Sequence, residues 1–441
     1  MKKHILTLAL LLAPAVLHAA ENKPNILVIL LDDMGYGQPG CYGGKLAPTP
    51  QIDSLGASGV RFTNGYVSAC VCSPSRVGIM TGRYQAHSGH DGLTDKPGTE
   101  LVLTETTIAQ RMKSVGYTTG IVGKWHLGAT SRQYLPCARG FDFSFGSIGN
   151  VGEHLGDNRF YDDGDLRESI PGEPITSPVY ARKACEFIEQ QKEKSWFLYL
   201  PFNAVHSPVV ASDSALAKFS NLPKPQQAYA AMISEVDDAI GLVLAKLREL
   251  KLDENTLIVL TSDNGGAGAI ADEGGLRGHK WLVYEGGIRE PWIVSWKGHI
   301  PPGRVVAEPV IQLDILPTAL AAAGSSVKPE WQLDGTNLLP LLEGKIDQLA
   351  PRELYFRFGV QYAVRQGDWK LVKASKDMEP MLVNLAADPG EQKDLSTENP
   401  EKKQTLQKLF DQWNATMQPP RWEDLRWNGE DERKQKKKKV K

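Results

Sequence analysis

Asn25-Ile26-Leu27-Val28-Ile29-Leu30-Leu31, followed at once by Asp32-Asp33-Met34-Gly35-Tyr36-Gly37, is the stretch that decides the fold. It is a continuous apolar run of β-forming residues with no polar alternation, which reads as a strand buried on both faces. Similar runs recur at Gly120 to Gly123, Trp196 to Pro201, Thr256 to Ser262 and Trp292 to Ser295. Between them lie helical patterns at Thr104 to Ser114, Val179 to Glu193 and Gln226 to Leu250. Strands alternating with amphipathic helices predict an α/β fold with a largely parallel central sheet flanked by helices. After Asp334-Gly335 the texture changes. Leu354 to Phe358, Tyr362 to Gln366, Trp369 to Lys373 and Met381 to Asn384 are short, alternating and closely spaced, and predict a smaller antiparallel sheet. Glu401 to Thr416 reads as a closing helix. The expected organisation is a leader at 1–20, a main α/β unit at 21–339, a C-terminal α+β unit at 340–425 and a basic tail at 426–441 without fixed structure.

The two ends differ from the body. Lys2 and Lys3, the apolar run Ile5 to Leu17 and Ala19-Ala20 form the three parts of a secretory signal, so a periplasmic or secreted location is expected. No later stretch is long and apolar enough to span a membrane. Arg433 to Lys441 carries seven basic residues and no acidic ones, whereas the 441-residue chain has 50 Lys and Arg against 52 Asp and Glu. The body between the ends is therefore acidic, which argues against nucleic acid as a partner. An anionic ligand would need a local cation cluster or a metal. There are 5 cysteines: Cys41, Cys70, Cys72, Cys137 and Cys185. The odd count leaves one over if the others pair, and their pairing is open.

Two strands end in hard oxygen ligands. Asp32-Asp33 follows the first, and Asp263-Asn264-Gly265-Gly266 follows Thr256 to Ser262. Ligands gather at the carboxyl ends of strands in open α/β sheets, and adjacent carboxylates repel unless a cation lies between them. Without imidazole or thiolate, the set favours calcium, or magnesium as the lesser alternative, over zinc or copper. Cys72-Ser73-Pro74-Ser75-Arg76 then leads into Thr81-Gly82-Arg83. Pro74 suits a first helical turn, which puts Cys72 at a helix mouth whose free N–H groups favour an anion. As a thiol, Cys72 could be a low-pKa nucleophile or half of a disulfide.

The stretch Cys72 to Arg83 has the form C-x-P-S-R-x-x-x-x-T-G-R and resembles the signature of the type I, formylglycine-dependent sulfatases of the alkaline phosphatase superfamily, near the arylsulfatase A and N-acetylgalactosamine-6-sulfatase branch. The resemblance extends over about 24–415. It includes Gly123-Lys124-Trp125-His126-Leu127-Gly128, Leu276-Arg277-Gly278-His279-Lys280, Arg365-Gln366-Gly367-Asp368-Trp369 and Ala387-Asp388-Pro389-Gly390-Glu391. It implies that a separate maturase oxidises Cys72 to formylglycine, whose hydrate attacks the sulfur of a sulfate ester and later expels sulfate. It also implies that Asp32, Asp33, Asp263, Asn264 and residue 72 hold the metal, and that Arg76 steadies the nucleophile. Lys124 and Lys280 would bind sulfate oxygens, His126 would act on the nucleophile with help from Asp263, and His206 would protonate the leaving oxygen.

Export points to a sulfated carbohydrate as substrate. Two competing readings use the same residues: a phosphodiester or phosphonate ester hydrolase, and a non-catalytic glycan binder in which Cys72 is never matured. His279 and Trp281 depart from the family pattern on either side of Lys280, where they could shape the pocket. Tyr84, His87 and His90, beyond the signature, could reach the same mouth or simply pack.

Overall fold

A computed structural model describes residues 23–149, 160–167, 175–268 and 270–428. The leader expected at 1–20, and the basic run of the expected tail, lie outside the described residues. The strands are β1 (Asn25–Leu31), β2 (Val60–Phe62), β3 (Gly65–Tyr66), β4 (Thr118–Val122), β5 (Phe143–Ser147), β6 (Phe160–Asp162), β7 (Asp165–Arg167) and β8 (Trp196–Pro201). They continue with β9 (Thr256–Ser262), β10 (Trp292–Ser295), β11 (Arg304–Val306), β12 (Val310–Ile311), β13 (Glu353–Phe358), β14 (Gln361–Gln366), β15 (Trp369–Lys373) and β16 (Met381–Asn384).

The main sheet has 10 strands in the order β11-β2-β10-β9-β1-β8-β4-β5-β6-β7. Its centre, β9-β1-β8-β4-β5, is parallel throughout. Strand β10 is antiparallel to both of its neighbours, and β6 and β7 are antiparallel at the far edge. This is the expected α/β sheet, with one difference. Trp292 to Ser295 is apolar like the parallel strands but runs the opposite way, because burial on both faces sets composition and not direction.

The apolar run of β1 sorts by alternate residues. Ile26, Val28 and Leu30 enter a core with Val77, Ile79 and Met80 of the helix Cys72–Thr81. Leu27, Ile29 and Leu31 enter the opposite core, under the helices Thr176–Gln190 and Lys224–Glu249. A strand covered on both faces cannot spare a polar residue on either, which is why the run does not alternate.

The small sheet is the antiparallel meander β13-β14-β15-β16. Leu354, Phe356 and Phe358 on one face pack onto Tyr66, Val71 and Ile288 of the main body. Val364, Leu371 and Leu382 on the other face pack beneath Leu406 and Phe410 of the closing helix Pro400–Ala415. A buried ion cluster ties the two sheets together: Lys370 on β15 lies 2.9 Å from both Glu285 and Glu391.

The helix expected from Thr104 begins at Ile108. Thr107 caps it in a reciprocal box with Gln110, and this satisfies the first N–H groups better than Thr104 could. Packed chain also continues past the closing helix as far as Trp427, which stands edge-on to Phe358. Among the described residues no helix is long and apolar enough to cross a membrane.

Candidate active site

The carboxyl ends of β1, β4, β8 and β9 meet the N-terminus of the helix Cys72–Thr81 at one place. Asp32 and Asp33 follow β1, Lys124 and His126 follow β4, His206 follows β8, and Asp263 and Asn264 follow β9. Cys72 is the first helical residue. Its Sγ lies 3.5 Å from Asp32 Oδ1 and 3.9 Å from Asp33 Oδ1. Every residue expected at the site from sequence is thus brought to one locus, and all but His206 are buried.

The backbone explains how. Asp33, His126 and Trp281 adopt φ of 62°, 60° and 79°, the left-handed region that non-glycine residues seldom enter. Such conformations persist where surrounding contacts over-determine them. Asp33 is held by its N–H on Asp263 Oδ1 at 3.2 Å, and His126 by its N–H on Ile148 O at 2.7 Å. Trp281 donates its N–H to Cys70 O at 2.9 Å, which fastens the Lys280 loop to the segment entering the signature helix. Gly123 lets the chain after β4 cross β8 closely. A Cβ there would stand 1.9 Å from Pro201 O, the carbonyl that receives the N–H of Lys124 at 2.8 Å.

Cations and carboxylates alternate across the site. Lys124 Nζ donates to Asp32 Oδ2, and Lys280 Nζ is 2.8 Å from Asp33 Oδ1. Arg76 places Nε 2.9 Å and Nη2 2.7 Å from Asp263 Oδ2, with Nη1 on Lys124 O at 2.9 Å. Asp263 was expected to assist His126. Instead one of its oxygens is taken by the Arg76 fork and the other by Asp33 N–H, while His126 Nδ1 is buried with no hydrogen-bond partner. The planar guanidinium matches a carboxylate better than a single imidazole N–H does.

His206 is the most open of the set, with Nε2 3.7 Å from Asp33 Oδ2. Its Nδ1 lies 2.6 Å from Ser207 O, which places the proton on Nδ1 and presents Nε2 to the site.

Burial and charge act against each other here. Burial would raise Asp32, but Lys124, His206 and Arg76 hold it well below the usual carboxylate range. Asp263 is pushed up by burial and by the neighbouring Asp32 charge. Burial, then Lys124 and Arg76, drive His126 well below the usual imidazole value, and burial and Lys280 lower His206. Burial raises the Cys72 thiol far above its usual value despite two nearby lysines. A low-pKa thiolate at the helix mouth is therefore not what this geometry provides. A disulfide is not either, since all five cysteines are free.

The residues suit a divalent cation. Ligand atoms of Asp32, Asp33, Cys72 and His206 all lie within 4.8 Å of one another. Asn264 Oδ1 is buried with no hydrogen-bond partner, although its Nδ2 donates to Asp33 Oδ1 at 2.7 Å. A buried amide oxygen without a donor is a costly arrangement that a hard cation would relieve.

Sequence reasoning missed Ser262. Its Oγ accepts Met34 N–H at 3.0 Å and donates to Asn264 O at 2.9 Å, locking the two ligand loops together. As a lone serine at a strand end it carries no pattern. The three residues beyond the signature prove to be packing residues. Tyr84 lies against Trp413, His87 Nε2 is 3.0 Å from Asp334, and His90 Nε2 is 3.0 Å from Thr94 Oγ1.

Comparison with known proteins agrees with this geometry. The sulfatase family model matches residues 24–325, and the model of the C-terminal region of N-sulphoglucosamine sulphohydrolase matches 277–418. The N-acetylgalactosamine-6-sulfatase of Canis lupus familiaris is 36% identical over 404 residues, covering 82% of this chain and 74% of the relative. Arylsulfatase A of Homo sapiens is 32% identical over 452 residues, covering 87% and 85%. Among solved structures, Ps i-CgsB superposes with a TM-score of 0.84 at 31% identity, covering 91% of this chain and 95% of that one. The same protein in complex with k-i-k-neocarrahexaose gives 0.83. A family model spanning most of the main sheet, together with relatives above 30% identity over more than two thirds of their own length, shows that the chain belongs to the sulfatase family, enzymes that hydrolyse sulfate esters.

Proposed function

We propose that this sulfatase acts outside the cytoplasm, in the periplasm or after secretion, on a sulfate monoester of a carbohydrate. It would use residue 72 in its formylglycine form and a divalent cation, calcium by preference, held among Asp32, Asp33, Asp263, Asn264 and residue 72. One observation carries the reading: Cys72 stands at a helix N-terminus, 3.5 Å from Asp32, walled by the buried cations Arg76, Lys124 and Lys280. The carbohydrate is argued from the leader-like N-terminus and from what the relatives are named for, N-acetylgalactosamine-6-sulfate and a bound neocarrahexaose.

Oxidation of Cys72 by a maturase supplies a hydroxyl nucleophile that the buried thiol does not, and the cation supplies Lewis acidity toward a sulfate oxygen. The chain's own residues do the rest. Arg76 holds Asp263 and the carbonyl of Lys124 in place. Lys124 and Lys280 stand one on each ligand carboxylate, where each can also reach a sulfate oxygen and stabilise charge developing on it. His206 is the most open of the set, with Nε2 turned inward, and when Nε2 also carries a proton it is the group placed to give that proton to the leaving oxygen.

The test is mass spectrometry of the peptide containing residue 72 after native expression, with sulfate release from N-acetylgalactosamine 6-sulfate and neocarrahexaose measured in parallel. A loss of about 18 Da relative to cysteine, as replacing CH₂SH by CHO requires, accompanies activity if the reading holds. An unmodified thiol in a protein that still binds these sugars would make it the non-catalytic binder instead.

A further inference from the structure

Residues 419–427 lie beyond both stretches that match the family, yet they run back from the closing helix across the main body. Gln418 N–H donates to Ala86 O, and Arg421 N–H to Gly89 O at 2.9 Å. Arg421 Nη2 donates to Glu100 O at 2.6 Å. Arg357 on β13 reaches Gln418 O at 2.8 Å. The body is shaped to receive this strap. A Cβ on Gly92 would meet Trp422 Nε1 at 2.6 Å, and one on Gly359 would meet the Trp427 ring at 2.1 Å.

The strap ends beside the sulfate lysine. Asp424 grips Arg426 with two contacts of 2.6 Å. The guanidinium carbon of Arg426 lies 4.3 Å from the centre of the Trp281 ring, and Lys280 Nζ lies 5.5 Å from the same centre. Trp281 is also held through its backbone, by its N–H on Cys70 O and its carbonyl on Gln361 Nε2, and by packing on the apolar cluster that includes Phe358, 6.0 Å away between ring centres. Trp281 is only partly buried, so some of its surface stays open to solvent beside Lys280.

We propose that Asp424 and Arg426 are positioning residues for substrate specificity. They clamp the Trp281 indole as a rigid wall beside Lys280, against which the sugar carrying the sulfate packs. This rests on the carbohydrate reading above. A fixed aromatic face offers a sugar ring apolar contact without ordering cost at the moment of binding. A loose indole would have to be ordered by the substrate itself, so loss of the clamp should appear in binding rather than in the chemical step.

The experiment uses the full chain. In a Cys72→Ala background, which removes turnover, the Kd for neocarrahexaose and for N-acetylgalactosamine 6-sulfate is measured by calorimetry for Arg426→Ala, Arg426→Lys, Trp281→Ala and the Arg426→Ala/Trp281→Ala pair. The matured enzyme with the same substitutions is assayed for KM and kcat. Arg426→Ala should weaken binding and raise KM about tenfold for whichever sugar the parent binds, with a smaller change in kcat, and Arg426→Lys should recover much of the loss. In the Trp281→Ala background the Arg426→Ala effect should vanish, because both act through one ring. Full additivity of the two substitutions, or a fall in kcat at unchanged KM, would overturn the clamp. A parent that hydrolyses aryl sulfates but neither binds nor hydrolyses any sulfated sugar would strike the carbohydrate reading, and the clamp with it. Additivity in a parent that does bind them strikes the clamp alone.

Discussion

Replacing His90 with glutamine should make the protein less sensitive to acid. The His90 ring is fully buried and lies edge-on to Trp422 at 4.9 Å; its Nε2 is satisfied by Thr94, whereas its Nδ1 has no hydrogen-bond partner. Burial, and then the Arg421 charge, push its pKa down to about 3. In the unfolded chain a histidine titrates near about 6.5. Between those two values the unfolded state binds a proton that the folded state refuses, so stability falls as pH drops below about 6.5 and the loss is complete near 3. At pH 5 the distance from the unfolded value is about 1.5 units, and about 1.36 kcal/mol per unit makes that about 2 kcal/mol. At pH 8 the contribution is close to zero. Glutamine keeps a polar group near Thr94 and cannot be protonated. Urea unfolding of both proteins at pH 8 and pH 5 isolates the effect, since all other titrating groups cancel in the difference. The native protein should lose about 2 kcal/mol more than His90→Gln between the two pH values. Equal losses would show that His90 titrates normally and that the strap does not seal it from water.

Arg76→Met should destabilise the chain by about 3–5 kcal/mol in urea unfolding, because buried Asp263 would lose its guanidinium partner and Asp32 would keep only Lys124. Chelation should abolish sulfate release, and added calcium should restore it more fully than magnesium; activity that survives exhaustive chelation would exclude the cation from the mechanism. Rates on matched sulfate and phosphate monoesters of one alcohol should favour sulfate by at least about tenfold, and a phosphate preference would support the phosphorus-ester alternative. Cys72→Ala should eliminate turnover while leaving a cooperative urea transition, since it removes one buried heavy atom and leaves the surrounding ion pairs of Arg76, Lys124 and Lys280 in place.

The legible parts of this chain are those where one residue type can satisfy only one environment. The run Asn25–Leu31 could be only a doubly covered strand, and the structure sends its alternate residues into two cores. Acids and an amide directly after two such strands had to lie side by side, because β1 and β9 are paired in register from Asn25–Thr256 to Leu31–Ser262. Direction was not legible: Trp292–Ser295 has the composition of a parallel strand and runs antiparallel. Nor was partner choice within the cluster. Nothing in the spacing of Arg76, His126 and Asp263 says that the guanidinium and not the imidazole takes the carboxylate. The end of the strap, Arg426 and Trp427, fell within the expected tail and the rest within the C-terminal unit, because its anchors, Gly89, Glu100 and Trp281, are distant in sequence, and contacts of that kind leave no local period.

The acidic balance of the chain poses the problem that the site answers. A protein with more acidic than basic groups in its body repels anions at long range, so a sulfate ester must be attracted locally. At the mouth, three carboxylates, Asp32, Asp33 and Asp263, are matched by three cations, Arg76, Lys124 and Lys280. That set is neutral and would hold an anion only weakly. A divalent cation among the same carboxylates makes the balance positive by two and takes over part of the charge that Lys124 and Lys280 now neutralise. Their ammonium groups then have a reason to turn toward a sulfate oxygen instead. The carboxylates therefore set affinity for the ester indirectly, through the cation, and neutralising any one of them should weaken the metal first and the substrate only as a consequence. Asp33→Asn separates the two orders of cause. If sulfate-ester affinity falls while cation affinity stays unchanged, the carboxylate acts on the ester by a route other than the cation, such as the placing of Lys280, and the argument fails.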